Sequence, residues 1–188
     1  GQLTLTQWRA AGYPLINEKS PTDSVYQALM ERFEHNLRAI ILAAKEKDVS
    51  VVIVPTAPHL GYPPFFDAND PTLIESDIQQ YTQLIGAARS QMENNQWELA
   101  EQSLNKAILI DKTHATAWFM LGKTHDAQGQ YDDMLVELNQ ALILDISRKR
   151  SLPGFFEVSQ KLCLELGCQT SSPVPSLDKN LLSDGMSW

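Results

Sequence analysis

Two stretches of this chain match each other at a spacing of 34 residues. Residues 84–112 (LIGAARSQMENNQWELAEQSLNKAILIDK) lie over residues 118–146 (WFMLGKTHDAQGQYDDMLVELNQALILDI). In that overlay Trp97 falls on Tyr131, Leu104 on Leu138, Ala107 on Ala141, Ile108 on Leu142 and Asp111 on Asp145. A period of this length specifies stacked helical hairpins, because each unit has an apolar face that only a neighbouring unit can bury. The usual product of such a stack is a binding surface. Four helices are expected over residues 71–145, with Asn94-Asn95 and Gln128-Gly129 as the turns inside the two hairpins.

Charge removes some classes of function. The 188 residues carry a net charge of −8, which argues against a nucleic-acid binder, whose footprint is a basic face. It favours a basic or neutral partner. No apolar run approaches the ~18 residues of a membrane span, and the first twenty residues lack the basic start and apolar stretch of a signal peptide. A soluble protein is expected, with the cytoplasm the favoured compartment. The chain starts with Gly, which suggests a trimmed or partial chain. Cys163 and Cys168 have too few ligand-type neighbours for a zinc site, and two thiols do not make a disulfide scaffold. They are expected to behave as small hydrophobes.

The flanks of the repeat read differently. Ser20-Pro21 looks like a helix start, with Pro in the first turn and Asp23 near the N-terminal dipole. Leu29, Phe33, Leu37, Ile40, Ile41 and Ala44 then recur at three and four residues, which gives one apolar face of a helix of about 24 residues. Residues 49–54 (VSVVIV) form a β-branched run stopped by Pro55. Almost all of it is apolar, so this strand is expected to be buried on both faces, as in a parallel sheet. Residues 56–70 are rich in Pro, Gly and aromatics and read as a long ordered loop. After the repeat comes the basic cluster Arg148-Lys149-Arg150. A helix at 154–166 follows, with Phe155, Val158, Leu162, Cys163 and Leu166 on one side, and then a weakly patterned tail.

The second copy of the repeat carries Trp118, Leu121-Gly122, Gly129, Tyr131, Leu138 and Ala141. This resembles the tetratricopeptide repeat, in which small residues let two helices approach and large ones fill the gaps between them. It departs from the family at Met134, where a small residue is usual, at His125, where an aromatic is usual, and at Ile146, where Pro is usual. The first copy keeps Trp97, Ala100, Leu104 and Ala107, with Leu84, Ala87 and Ala88 in place of Trp, Leu and Gly. Roughly three repeats are needed to bury a continuous core, so the helix at 154–166 is the expected C-terminal cap. The resemblance implies an inner groove lined by Ile85, Arg89 and Met92 from the first repeat and by Phe119, Lys123 and Asp126 from the second. In that groove Arg89 and Lys123 would hold a carboxylate of a peptide or protein partner.

Residues 32–58 (RFEHNLRAIILAAKEKDVSVVIVPTAP) also resemble something known: the central helix–strand unit of SGNH/GDSL-type esterases, some of which carry tetratricopeptide-like helices inserted after this strand. That resemblance implies acyl transfer by a Ser nucleophile with a His base and oxyanion donors. The chain has no Gly-Asp-Ser block, and Ser187 stands where His would follow Asp184. No catalytic residue is therefore assigned. The histidines His35, His59, His114 and His125 lack metal-ligand spacing, so no metal or other cofactor is expected. His59, in the Pro-rich loop, is the one histidine placed to serve a site.

The expected protein is mainly α. It has helical hairpins of tetratricopeptide type and a small α/β element at its N-terminal side. The expected segments are 1–70 (helix, strand and Pro-rich loop), 71–166 (helical domain with its cap) and 167–188 (irregular tail). The expected function is a non-catalytic protein or peptide interaction module, bacterial in style. The alternative is part of an SGNH-type hydrolase whose repeats are an insertion. In that case the bare strand at 49–54 would favour a homodimer.

Overall fold

The two flanks of the repeat fold together. The structure, a computed structural model, describes residues 23–54, 60–68, 70–147, 150–152 and 154–171. Helix α1 (Asp23–Lys45) leads into strand β1 (Val52–Ile53). Four helices follow: α2 (Glu75–Glu93), α3 (Trp97–Ile110), α4 (Ala115–Gln128) and α5 (Tyr131–Leu144). Helix α6 (Gly154–Leu166) then leads into strand β2 (Gln169–Thr170). The described chain is mainly helical with one small parallel sheet, as expected.

β1 and β2 pair in parallel, Val52 opposite Gln169 and Ile53 opposite Thr170. The Gln169 N–H donates to the Val51 carbonyl and the Ser171 N–H to that of Ile53. Parallel neighbours need a crossover, and here α6 is its final element. The helical hairpins therefore lie inside a β–α–β unit, between the C-terminal end of β1 and the start of α6. α1 and α6 pack side by side. Ile41 and Leu162 are fully buried, and Phe33 stacks on Phe155 with ring centroids 4.1 Å apart. A Cβ on Gly154 would lie 2.7 Å from the Tyr26 hydroxyl and 2.8 Å from Met30 Sδ, so these side-chain ends would have to shift to admit one. Charged ends add a clamp: Arg38 donates to Glu165 at 2.8 Å, and Lys161 lies 3.0 Å from Glu34.

Three expectations change at this point. The strand was expected to be buried on both faces, but its burial alternates. Val51 and Ile53 are half-covered, whereas Val52 and Val54 are 57% and 59% exposed. A two-stranded ribbon with helices packed on one side leaves its other face to solvent. The helix at 154–166 was expected to cap the hairpins, but its main packing is against α1 and β2. Cys163 and Cys168 were expected to be plain hydrophobes, but they form a disulfide. The left-handed Gly167 (φ 73°) turns the chain back so that the two sulfurs meet.

The hairpins α2–α3 and α4–α5 follow the 34-residue period closely. Asn95 (φ 56°) and Gly129 (φ 74°) occupy equivalent places at the inner turns, both in the left-handed region that ends a helix. Leu104 and Leu138, and Ala107 and Ala141, are equivalent buried pairs. Ala88, Leu104, Met120 and Leu121 join the first hairpin to the second, with Ile85, Met92 and Ile108 against them. Within the second hairpin, a Cβ on Gly122 would sit 2.8 Å from Leu138 Cγ, so the close approach of α4 and α5 depends on glycine there.

Candidate functional site

Residues 60–68 and 70 form a strap that runs from the β1 side of the molecule along the hairpins. Both partners supply groups that fix it. From the hairpins, Asp145 Oδ2 accepts the Phe65 N–H at 3.1 Å, and Asp111 Oδ2 accepts the Asp70 N–H at 3.3 Å. The Ile146 N–H donates to the Phe66 carbonyl. Arg150 bridges the two sides: it donates to the Tyr62 carbonyl at 2.8 Å and to Asp145 at 2.9 Å, and its guanidinium lies over the Phe65 ring. From the strap, Asp67 caps α4. Its Oδ1 accepts the Thr116 N–H at 2.7 Å and its Oδ2 accepts the Thr116 hydroxyl at 2.6 Å. A carboxylate is favoured there by the open N–H groups and the helix dipole.

His114 Nδ1 lies 3.0 Å from Asp67 Oδ1. Burial opposes the charged form of Asp67, but His114 and Thr116 outweigh it and hold its carboxyl below the ordinary range. The Tyr81 ring packs on His114 at 4.7 Å, and its hydroxyl is buried without a hydrogen-bond partner. Burial, with Asp67 and Asp111 nearby, raises the Tyr81 phenol far above its usual value. The strap thus closes over a buried polar corner made by α2, the start of α4 and the end of α3.

The six residues expected to line a groove do not form one continuous surface. Arg89 is exposed on α2. Ile85 and Met92 are half-buried and pack into the interior between the hairpins. Phe119, expected at the open surface, is only 7% exposed. Leu60 of the strap covers it, together with Met134, Leu138, Ala141 and Leu142. Met134 fills the layer to which Leu60 contributes. Lys123 and Asp126 pair with each other at 2.6 Å. The charge of Lys123 is thus matched within its own helix.

A second polar cluster joins the repeats. His125 Nδ1 lies 2.7 Å from Glu137 Oε2, and its Nε2 lies 3.8 Å from Glu101 Oε1. His125 and Glu137 are both buried. Burial pushes the Glu137 carboxyl up, His125 opposes the rise, and Asp133 and Glu101 add to it.

The sequence reading missed Leu60, Asp67 and Arg150 as strap contacts. For the strap acceptors Asp111 and Asp145 a signal was present, since the two coincide in the overlay. His59, Arg148, Lys149, Ser20-Pro21 and the Asp184–Ser187 segment lie outside the described residues. Among the described residues no group of three or more His, Cys, Asp or Glu could hold a metal ion, and no helix is long and apolar enough to cross a membrane. No family profile, curated protein or solved structure matches the chain.

Proposed function

We propose that this chain belongs to a hydrolase of the SGNH esterase type, and that its tetratricopeptide-like hairpins are an insertion shaping access to the site. The observation that carries this reading is the position of the hairpins inside the β1–α6–β2 unit. In open α/β sheets, ligands bind outside the carboxyl ends of parallel strands. The strap and hairpins leave β1 at that end. The bare faces of Val52 and Val54 also support it, because a parallel sheet is normally covered on both sides and extended by further strands. The chemistry is acyl transfer by a Ser nucleophile and a His base, with oxyanion donors. No residue of this chain is assigned to those roles. Its own contribution is a rigid wall, the strap clamped by Asp111, Asp145 and Arg150.

The test uses the full protein that carries this chain, with short-chain p-nitrophenyl esters and a fluorophosphonate probe. Ester turnover and probe labelling are expected. Replacing residues 60–147 by a short Gly-Ser linker should change substrate preference more than it changes labelling. Absence of both turnover and labelling in the intact protein would overturn the reading.

A second reading, a peptide-binding module, is favoured by the exposed Arg89 beside the half-buried Met92 on α2. Its occupant would be an acidic peptide. Arg89→Ala should weaken capture of such a peptide about tenfold, the worth of one charge-assisted hydrogen bond. Equal capture by Arg89→Ala and the natural chain would remove this reading.

A further inference from the structure

We infer that the Cys163–Cys168 disulfide is a thiol–disulfide exchange site, open to an incoming dithiol at Cys168, and that it controls the pairing of β2 with β1. The inference does not depend on the hydrolase reading.

The two cysteines differ in exposure. Cys163 sits on the buried side of α6 and is 4% exposed. Cys168 is half-buried and borders an open cavity of about 380 Å³. Lys45, Val49, Val51 and Leu166 are among the other residues of its wall. A space of this size admits a side chain carried on a partner's loop. Exchange requires a thiolate to reach one sulfur while the other leaves, and of the two cysteines only Cys168 lines the cavity. The structure therefore fixes the order of events. The partner's thiolate attacks Cys168 Sγ and forms a mixed disulfide, and Cys163 leaves as a thiolate that takes a proton. The partner's second thiol then attacks its own sulfur in that mixed disulfide. The partner becomes a disulfide, and Cys168 leaves as a thiolate and is protonated. Two electrons pass from the dithiol to the chain's cystine.

The consequence follows from position. Cys168 immediately precedes β2, which is two residues long. Its outer bonds are Gln169 N–H to Val51 and Ser171 N–H to Ile53. The N–H groups of Gly167 and Cys168 both converge on the Cys163 carbonyl, so the cross-link holds the same turn that aims β2 at β1. Short two-stranded ribbons are marginal without added support. Removing the cross-link restores entropy to the open chain and lets this edge open locally.

The test treats the intact, folded chain with glutathione to trap the first step and with dithiothreitol to complete it. The glutathione adduct is expected on Cys168 and not on Cys163, under conditions that keep the fold. After dithiothreitol, the amides of Gln169 and Ser171 should exchange with solvent at least about tenfold faster, while those of α4 and α5 stay as before. The double variant Cys163→Ser/Cys168→Ser should show the same local acceleration without reductant. An adduct on Cys163, no adduct short of unfolding, or unchanged exchange after full reduction would each overturn the proposal. The adduct position is read on the natural chain, so it decides the matter even if the double variant folds poorly.

Discussion

Asp111 and Asp145, 34 residues apart, do the same two jobs. Each uses Oδ1 to accept the N–H two residues on, from Thr113 and Ser147 respectively, both at 2.9 Å. Each uses Oδ2 to hold a backbone N–H of the strap. Both are 2% exposed. The repeat thus places two identical acceptors along one edge, and an extended segment can lie across both.

The two sites are unequal in cost. Asp145→Ala strands the Phe65 and Ser147 N–H groups and leaves Arg150, 12% exposed, without its carboxylate. The expected loss is about 3 kcal/mol, in the range for breaking one side of a buried pair. Among the described residues no cation pairs with Asp111, so Asp111→Ala should cost about 1–2 kcal/mol, the worth of the polar groups it strands. Urea unfolding of the two variants measures the difference. Equal losses would show that Arg150 contributes nothing to the strap.

Asp67 makes the strap sensitive to acid. Its carboxyl is lowered from the ordinary 3.8 in the folded chain, so its ionised form stabilises the fold. That contribution is complete above pH 3.8 and is lost as pH falls through the lowered value. Asp67→Asn should be less stable at pH 7 and should lose less stability on acidification. Parallel pH–stability curves for the two chains would contradict this.

Glu137 has the opposite sign. Its carboxyl is raised from 4.5 by burial, so the fold favours the protonated form. Its contribution is full below pH 4.5 and is lost as pH rises through the folded value. Glu137→Gln should flatten the pH dependence just above 4.5. A variant whose curve falls as steeply there as the natural chain's would assign the effect elsewhere.

Gly122→Ala should destabilise the second hairpin by about 1–3 kcal/mol, the usual cost of overpacking. The new Cβ would meet the Leu138 side chain at 2.8 Å. Leu138→Val should relieve part of it, so the double mutant should cost less than the sum of the singles. Additive losses measured by thermal unfolding would mean that the contact is not the cause.

Val52 and Val54 lie on the bare side of the ribbon. An exposed apolar strand invites pairing between chains, and lysine blocks it. Val52→Lys with Val54→Lys should lower the mass seen by light scattering at high concentration. Stability should change by less than about 0.5 kcal/mol per site, as for exposed positions without special contacts. Unchanged association would place any self-contact elsewhere.

The sequence by itself determined the local elements. A 3.6-residue apolar rhythm specifies a helix wherever it occurs, and the 34-residue match carried Asn95 to the same turn geometry as Gly129. Of the β-branched run at 49–54, Val52 and Ile53 form a parallel strand, but the burial on both faces that its composition suggested is not found. Of the candidate site, Arg89 was expected on an open face of its helix, and it is exposed there. What only the tertiary structure decided lies in contacts between residues far apart in the chain. Phe119 is covered because Leu60 arrives from the strap, Val51 finds Gln169 across the inserted hairpins, and Cys163 meets Cys168 because Gly167 turns left-handed. Periodicity states which face of an element is apolar. It does not state which distant segment covers that face, because this depends on the path of the chain between them.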